Sequence, residues 1–195
     1  MSSRGLDYLW LKWRAIANTV LGRNRAAEED FSAMVARWPD DVYARASRAH
    51  IVAQAGRRSE AIADLERVLA LGPQAPASHW FNLGFLLEEE GRVDDAERAF
   101  RAALDLDAKL DRAWYGLALI LIRQRRLDEA MAALERNTKL QPMSPFGWYQ
   151  LARVHVDRGH PEEARKVIRH LKGFEPKVAA QLERETGLSV AEAGP

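Results

Sequence analysis

Cysteine is absent from the 195 residues. Disulfides and thiolate nucleophiles are thereby excluded, and a reducing, cytoplasmic setting is expected. Long apolar runs are absent too. The most apolar stretch, residues 6–21 (Leu6, Leu9, Trp10, Leu11, Trp13, Ile16, Val20, Leu21), is broken by Asp7, Lys12 and Arg14. It falls short of the roughly 20 apolar residues that span a bilayer, and it lacks the unbroken centre and small-residue cleavage site of a secretory signal. Neither sign of charge dominates. A formal net charge of +1 argues against nucleic acid as a partner, since that needs a basic stripe with exposed stacking aromatics. There is no glycine-rich phosphate loop, no HExxH and no nucleophile elbow, so no enzyme activity, cofactor or metal is expected. Among the histidines, His155 and His160 are five apart and do not share a helix face. His155 falls where a large core residue is usual, and a buried, hydrogen-bonded ring is expected there. Acidic pairs such as Asp94–Asp95 and Glu162–Glu163 open helices, where the positive helix end explains them. No strand-like alternation of apolar residues occurs.

What the chain does have is a ruler. Trp80, Trp114 and Trp148 stand 34 residues apart. With each as the fourth residue of a unit, the units run 77–110, 111–144 and 145–178. Two more, 8–41 and about 42–76, fit upstream. The eighth column is small: Ala15, Ala49, Gly84, Ala118 and Ala152. The twentieth is all alanine: Ala27, Ala61, Ala96, Ala130 and Ala164. The twenty-fourth is large and apolar: Phe31, Leu65, Phe100, Leu134 and Ile168. The fifteenth reads Gly22, Gly56, Gly91, Arg125 and Gly159, and the thirty-second Pro39, Pro73, Ala108, Pro142 and Pro176. Glycine ends one helix by taking left-handed backbone angles at little steric cost. Proline stops the second helix and sets up the next. Small columns mark where helices approach closely, so larger side chains would overpack them. A fixed period of this length signals stacked copies of one helix pair.

These columns resemble those of the tetratricopeptide repeat family across residues 8–178. The best unit is Trp80-Phe81-Asn82-Leu83-Gly84 with Gly91, Ala96, Phe100, Ala103 and Ala108. The resemblance implies an all-α fold, a right-handed α-solenoid (superhelix) of antiparallel helix pairs, forming a single domain over 5–187. Helices are expected at about 5–21, 24–37, 41–55, 58–71, 76–90, 93–105, 110–124, 127–139, 144–158 and 161–173. A capping helix at 177–187 would cover the last apolar face. Residues 1–4 are expected to be disordered and 188–195 to form a flexible tail. Ser144 before Pro145 is expected to cap a helix. Glu162–Lys166 is expected as an i,i+4 pair, and Trp114 as a buried aromatic.

The resemblance also implies a function: a non-enzymatic scaffold whose concave surface, lined by the first helix of each unit, holds a peptide or helix of a protein partner. The positions that line it there are Leu9, Lys12, Trp13 and Ile16; Tyr43, Ser47 and His50; Phe81, Asn82, Phe85, Glu88 and Glu89; Arg112, Tyr115, Leu119, Ile122 and Arg123; and Phe146, Tyr149, Gln150, Arg153 and Asp157. Aromatics and arginines are the usual anchors of interfaces. Asn82 and Gln150 suit hydrogen bonding to a peptide backbone. The alternative is that tight curvature buries the rings. The carboxylate clamp of the chaperone-binding branch maps to Lys12, Ile16, Ser47, Ser78 and Asn82, and only Lys12 matches. Arg14, Arg45 and Arg48 break the pattern of the first two units, as looser packing or as a basic docking patch. Arg57, Arg58, Arg123, Arg125 and Arg126 fall at turns, as solvated residues or as a basic edge. Leu9, Trp10 and Trp13 lie on a first helix with no preceding unit to bury it. That points to a homodimer or, through the same basic helix, to membrane-surface attachment.

Overall fold

The computed structural model describes residues 3–72 and 75–190, and among these every regular element is an α-helix. The helices are α1 Ser3–Val20, α2 Asn24–Arg37, α3 Val42–Gln54, α4 Arg58–Leu71, α5 Ala77–Glu89, α6 Val93–Leu106, α7 Asp111–Arg123, α8 Leu127–Leu140, α9 Pro145–Asp157, α10 Pro161–Lys172 and α11 Pro176–Thr186. The chain divides into two compact units, 1–99 and 100–195, with the boundary inside α6. In the first unit α1 packs on α2, α2 on α3, α3 on α4 and α4 on α5. In the second α7 packs on α8, α8 on α9, α9 on α10, and α11 on both α9 and α10. This is the helix-hairpin architecture that the 34-residue period demands.

The turns explain why the hairpins recur. Gly22, Gly56, Gly91 and Gly159 have φ of 69°, 79°, 77° and 72°. After each, the next residue donates its N–H to the carbonyl five residues back, as Arg57 does to Val52 at 3.0 Å and His160 to His155 at 2.8 Å. That bond closes the helix and reverses the chain. Arg125, the exception in the column, keeps the same geometry with φ 62°, and Arg126 donates to Leu121 at 2.9 Å. The turn is therefore imposed by the hairpin on a residue that resists it.

The packing columns are buried as expected. All five alanines of the twentieth column have 0% exposure, and the twenty-fourth column stays at 3% or below. In the first unit Leu11, Ala15, Ala27, Phe31, Met34, Val35, Ala44 and Ile51 form one cluster, with Tyr8 and Trp38 packed on it edge to face. In the second unit two glycines permit close approach. A Cβ on Gly116 would lie 2.6 Å from the Phe100 ring, and one on Gly147 would lie 2.1 Å from Asn137 Oδ1. Asn137 is itself buried and donates to the Asp111 carbonyl at 2.9 Å, so it ties α8 to the start of α7.

Several expectations are corrected. The start of the chain is helical from Ser3, while Met1 and Ser2 lie outside the described residues. The C-terminal tail is not loose from 188. Val190 is 6% exposed, its N–H donates to Glu183, and its carbonyl accepts from Lys172 at 3.1 Å. Residues 191–195 of that tail, and Pro73 of the proline column, lie outside the described residues. Ser144 occupies the N-cap position of α9 without a side-chain bond, and Pro145 stands at the first helical position. The acids of α10 pair at i,i+3 instead, Glu162 with Arg165 and Glu163 with Lys166. Trp114 is half-buried, with its indole N–H on the Ala108 carbonyl at 2.9 Å.

Candidate functional site

The irregular arginines of the first two hairpins have internal partners. Arg14 makes a two-pronged contact with Asp30, which Asn18 also reaches at 3.1 Å. Arg48 clasps Asp64 the same way at 2.6 and 2.5 Å, and Arg45 adds a bond at 3.2 Å. Both aspartates are 3% exposed. Arg14 and Arg48 stand in the seventh column and their aspartates in the twenty-third. The later units have Leu83, Leu117 and Leu151, and Ala99, Ala133 and Val167, in those columns, all of them buried. An ion pair thus stands where the later units have buried apolar side chains. Arg45, in the tryptophan column, donates its Nε to the Pro39 carbonyl six residues back. Trp114 and Trp148 direct their indole N–H groups to the carbonyl at that same offset, Ala108 and Pro142. None of the three arginines is left to form a docking patch.

The turn arginines are likewise answered within their own units. Arg57 pairs with Glu28 and Glu60, Arg58 with Glu89 at 2.7 Å, Arg125 with Asp157 at 3.5 Å and Arg126 with Glu129 at 2.7 Å. Each of these four arginines thus has an acidic neighbour, while Arg125 stays largely exposed.

With those charges engaged, a groove opens in the first unit. Its volume is about 1040 Å³, and it is walled by the C-terminal half of α1, the length of α3 and one face of α5. Ala46, Ala49, Leu65, Phe31 and Leu86 form its floor. Tyr43, Ser47, His50, Asn82 and Phe85 stand along it, and Glu89 lies at one end. Tyr43 and Phe85 are 39% and 47% exposed, so curvature does not bury these rings. Tyr43 is braced edge-on by Phe31 at 6.1 Å and carries the Lys12 ammonium 4.4 Å from its ring centre. His50 shares a hydrogen bond with Gln54 at 3.0 Å.

The structure gathers Tyr43, His50, Asn82 and Phe85 into this groove, but not Phe81, which is half-buried outside it. It adds His79, Thr19 and Val20, which the sequence reading missed. His79 occupies the third position of its unit, which the lining pattern skips. Thr19 and Val20 come from the last turn of α1. The Nδ1 atom of His79 is buried with no hydrogen-bond partner among the described residues, and burial lowers the ring's pKa.

In the second unit the expected residues stand on α7 and α9. Arg112 and Arg123 are exposed, Tyr115 and Leu119 half-buried. Phe146 is 67% exposed. Tyr149 and Gln150 are half-buried, and the exposed Arg153 lies 5.8 Å from the Tyr149 ring centre. The Tyr149 hydroxyl donates to Glu185 of α11. That bond raises the phenol's pKa and lowers the carboxylate's.

His155 is half-buried, and its Nδ1 lacks a partner among the described residues, contrary to the hydrogen-bonded ring expected. The turn after α9 brings His160 to 6.4 Å from it, a proximity that helix-face spacing alone does not reveal. The described residues contain no group of three metal-binding side chains and no helix long and apolar enough to cross a membrane. On α1, Leu9, Trp10 and Trp13 are 37%, 58% and 65% exposed, with the Arg14 guanidinium 3.8 Å from the Trp10 ring centre.

A family profile described as tetratricopeptide repeat matches residues 19–76 and 77–145. No curated protein matches the sequence. Among solved structures, a crystal structure of MamA protein aligns with a TM-score of 0.80 and 18% identity, over 98% of this chain and 100% of its own. MamA from Desulfovibrio magneticus RS-1 aligns at 0.78 with 17% identity, over 92% of this chain and 96% of its own. YrrB, described as a TPR protein with an unusual peptide-binding site, aligns at 0.78 with 16% identity, over 87% and 88%. At these identities the likeness is one of fold.

Proposed function

The chain belongs to the tetratricopeptide repeat family, and from that premise we propose that it is a non-enzymatic scaffold that holds a segment of a partner protein in the groove of its first unit. The family in general serves protein–protein interaction, and the finer reading rests on one observation. A groove of about 1040 Å³ leaves Tyr43 and Phe85 partly exposed on a preformed apolar floor. That volume is at the upper end for small-molecule sites and suits a peptide. Large apolar side chains kept at the surface mark interaction sites. YrrB, whose description includes a peptide-binding site, supports the same use of this fold. The cytoplasm is the proposed location, in keeping with the absence of cysteine.

The test is capture of partners from native extract by the wild-type chain and by Tyr43→Ala/Phe85→Ala. Affinity for the captured protein should fall about thirtyfold, since each of the two anchors removed costs roughly 1 kcal/mol or more, while helicity and melting stay nearly unchanged. Equal capture by the variant would refute the groove as the binding surface.

Self-association through α1 is the second reading, favoured by the exposure of Leu9, Trp10 and Trp13. Light scattering on the wild type and on Trp10→Ser/Trp13→Ser decides it, and a monomer in both cases removes the idea. Attachment to a membrane surface has less support. The cations it would rely on, Lys12 and Arg14, are engaged by Tyr43 and Asp30.

A further inference from the structure

The groove of the first unit has a chemical polarity of its own. Short connections make α1, α3 and α5 run in the same direction. Their C-terminal residues Val20, Gln54 and Glu89 all line the same end of the groove. The negative end of each helix dipole therefore converges there, although turn N–H groups already take most of the last carbonyls, as Arg23 does at Asn18, Arg57 at Val52 and Arg92 at Leu87. Among the described residues of the lining Glu89 is the one that is formally charged, and no lysine or arginine joins it. Arg58 holds that carboxylate through Oε2 at 2.7 Å from outside the groove, which fixes its position. At the other end Lys12 is drawn onto the face of Tyr43. The remaining polar lining, with Ser47, Asn82 and the unpartnered Nδ1 of His79, offers hydrogen-bonding groups of both kinds and no formal positive charge from lysine or arginine among the described residues. The first unit as a whole carries 13 Lys and Arg against 15 Asp and Glu, a net charge of −2.

From these features we infer that the occupant is an apolar protein segment carrying lysine or arginine, seated with its cationic side chain at the Glu89 end. This rests on the groove being the binding surface, as proposed above. An acidic segment would meet the Glu89 carboxylate and the negative helix ends, with no lysine or arginine among the described lining residues to answer it.

The experiment is a selection of random dodecapeptides displayed on phage against the immobilised full chain, counter-selected on Ser47→Trp, which fills the middle of the groove. Circular dichroism confirms that the blocked variant is folded, and Phe85→Ala serves as a second, gentler block. Clones lost on both variants should be rich in apolar residues, with lysine and arginine exceeding aspartate and glutamate. Glu89→Gln should weaken the best synthetic peptide about fivefold, the upper range for a partly exposed charge pair. Groove-dependent clones that are acidic or carry no net charge overturn the inference and leave the groove reading intact. Absence of any clone sensitive to the two blocks overturns the groove reading itself. A wild-type chain that is dimeric and becomes monomeric on Ser47→Trp makes the occupant a second copy, and the inference falls.

Discussion

Asp30 and Asp64 show how much a single residue's partner matters. Each is 3% exposed, so each depends on its partners for compensation, Asp30 on Arg14 and Asn18, Asp64 on Arg48 and Arg45. Removing one member of such a pair costs more than removing both, because a lone buried charge has nothing to replace its lost water. Arg14→Leu alone should therefore destabilise by about 3 kcal/mol. Adding Asp30→Ala, which recreates the buried leucine and alanine of the later units, should restore most of it, and urea unfolding of the two variants checks the cycle. Arg125 offers the opposite kind of gain. Its φ of 62° is strained for any residue with a Cβ. Its ion pair with Asp157 is long, 3.5 Å, and largely exposed, so little is lost with it. Arg125→Gly should raise stability by about 1 kcal/mol, read as a shift of the urea midpoint. This residue was legible in the sequence as the odd member of a glycine column. The arginine–aspartate exchange was present in two columns of the same alignment. It stayed hidden because nothing in a one-dimensional period says that columns seven and twenty-three touch.

At the scale of the helix, the period placed every helix to within about two residues, because turns and packing columns obey the same geometric repeat. Side-chain chemistry at the joins did not follow as readily. Ser144 at the start of α9 makes no capping bond, and Asp41 does cap α3, accepting from the Ala44 N–H at 3.0 Å. The lining of the groove was partly legible: Tyr43, His50, Asn82 and Phe85 lie in it, and Phe81 does not. Neighbours on one helix diverge by about 100°, so an error of one position turns a wall residue away. The tightest join is between α8 and α9, where Asn137 Oδ1 stands over Gly147. Gly147→Ala should cost about 2 kcal/mol or more by overpacking. A thermal scan should show the loss, while Gly159→Ala, which meets no neighbour but has φ 72°, separates backbone strain from steric clash.

Over the whole molecule, the near-neutral total conceals a split. The first unit has a net charge of −2, and the second carries 16 Lys and Arg against 13 Asp and Glu, or +3. A composition summary reports only their sum, so the different chemistry of the two surfaces was not legible from it. Stability should also depend on pH. Burial lowers the pKa of His79 and His155. Folding therefore holds them neutral where the unfolded chain would protonate, and their contribution is full above the ordinary histidine value of about 6.5. It is lost as pH falls through the folded-state pKa. The melting midpoint should be level between pH 8 and 7 and decline below about 6.5, and His79→Phe/His155→Phe should flatten that decline. The clasped aspartates carry one more implication. A leucine resting on an alanine tolerates a neighbour that slips by a turn, but a carboxylate whose guanidinium has slid 5.4 Å away is stranded in a dry interior. The first two hairpins are thus keyed to one alignment of their helices, and errors of assembly should accumulate among the later, greasier ones.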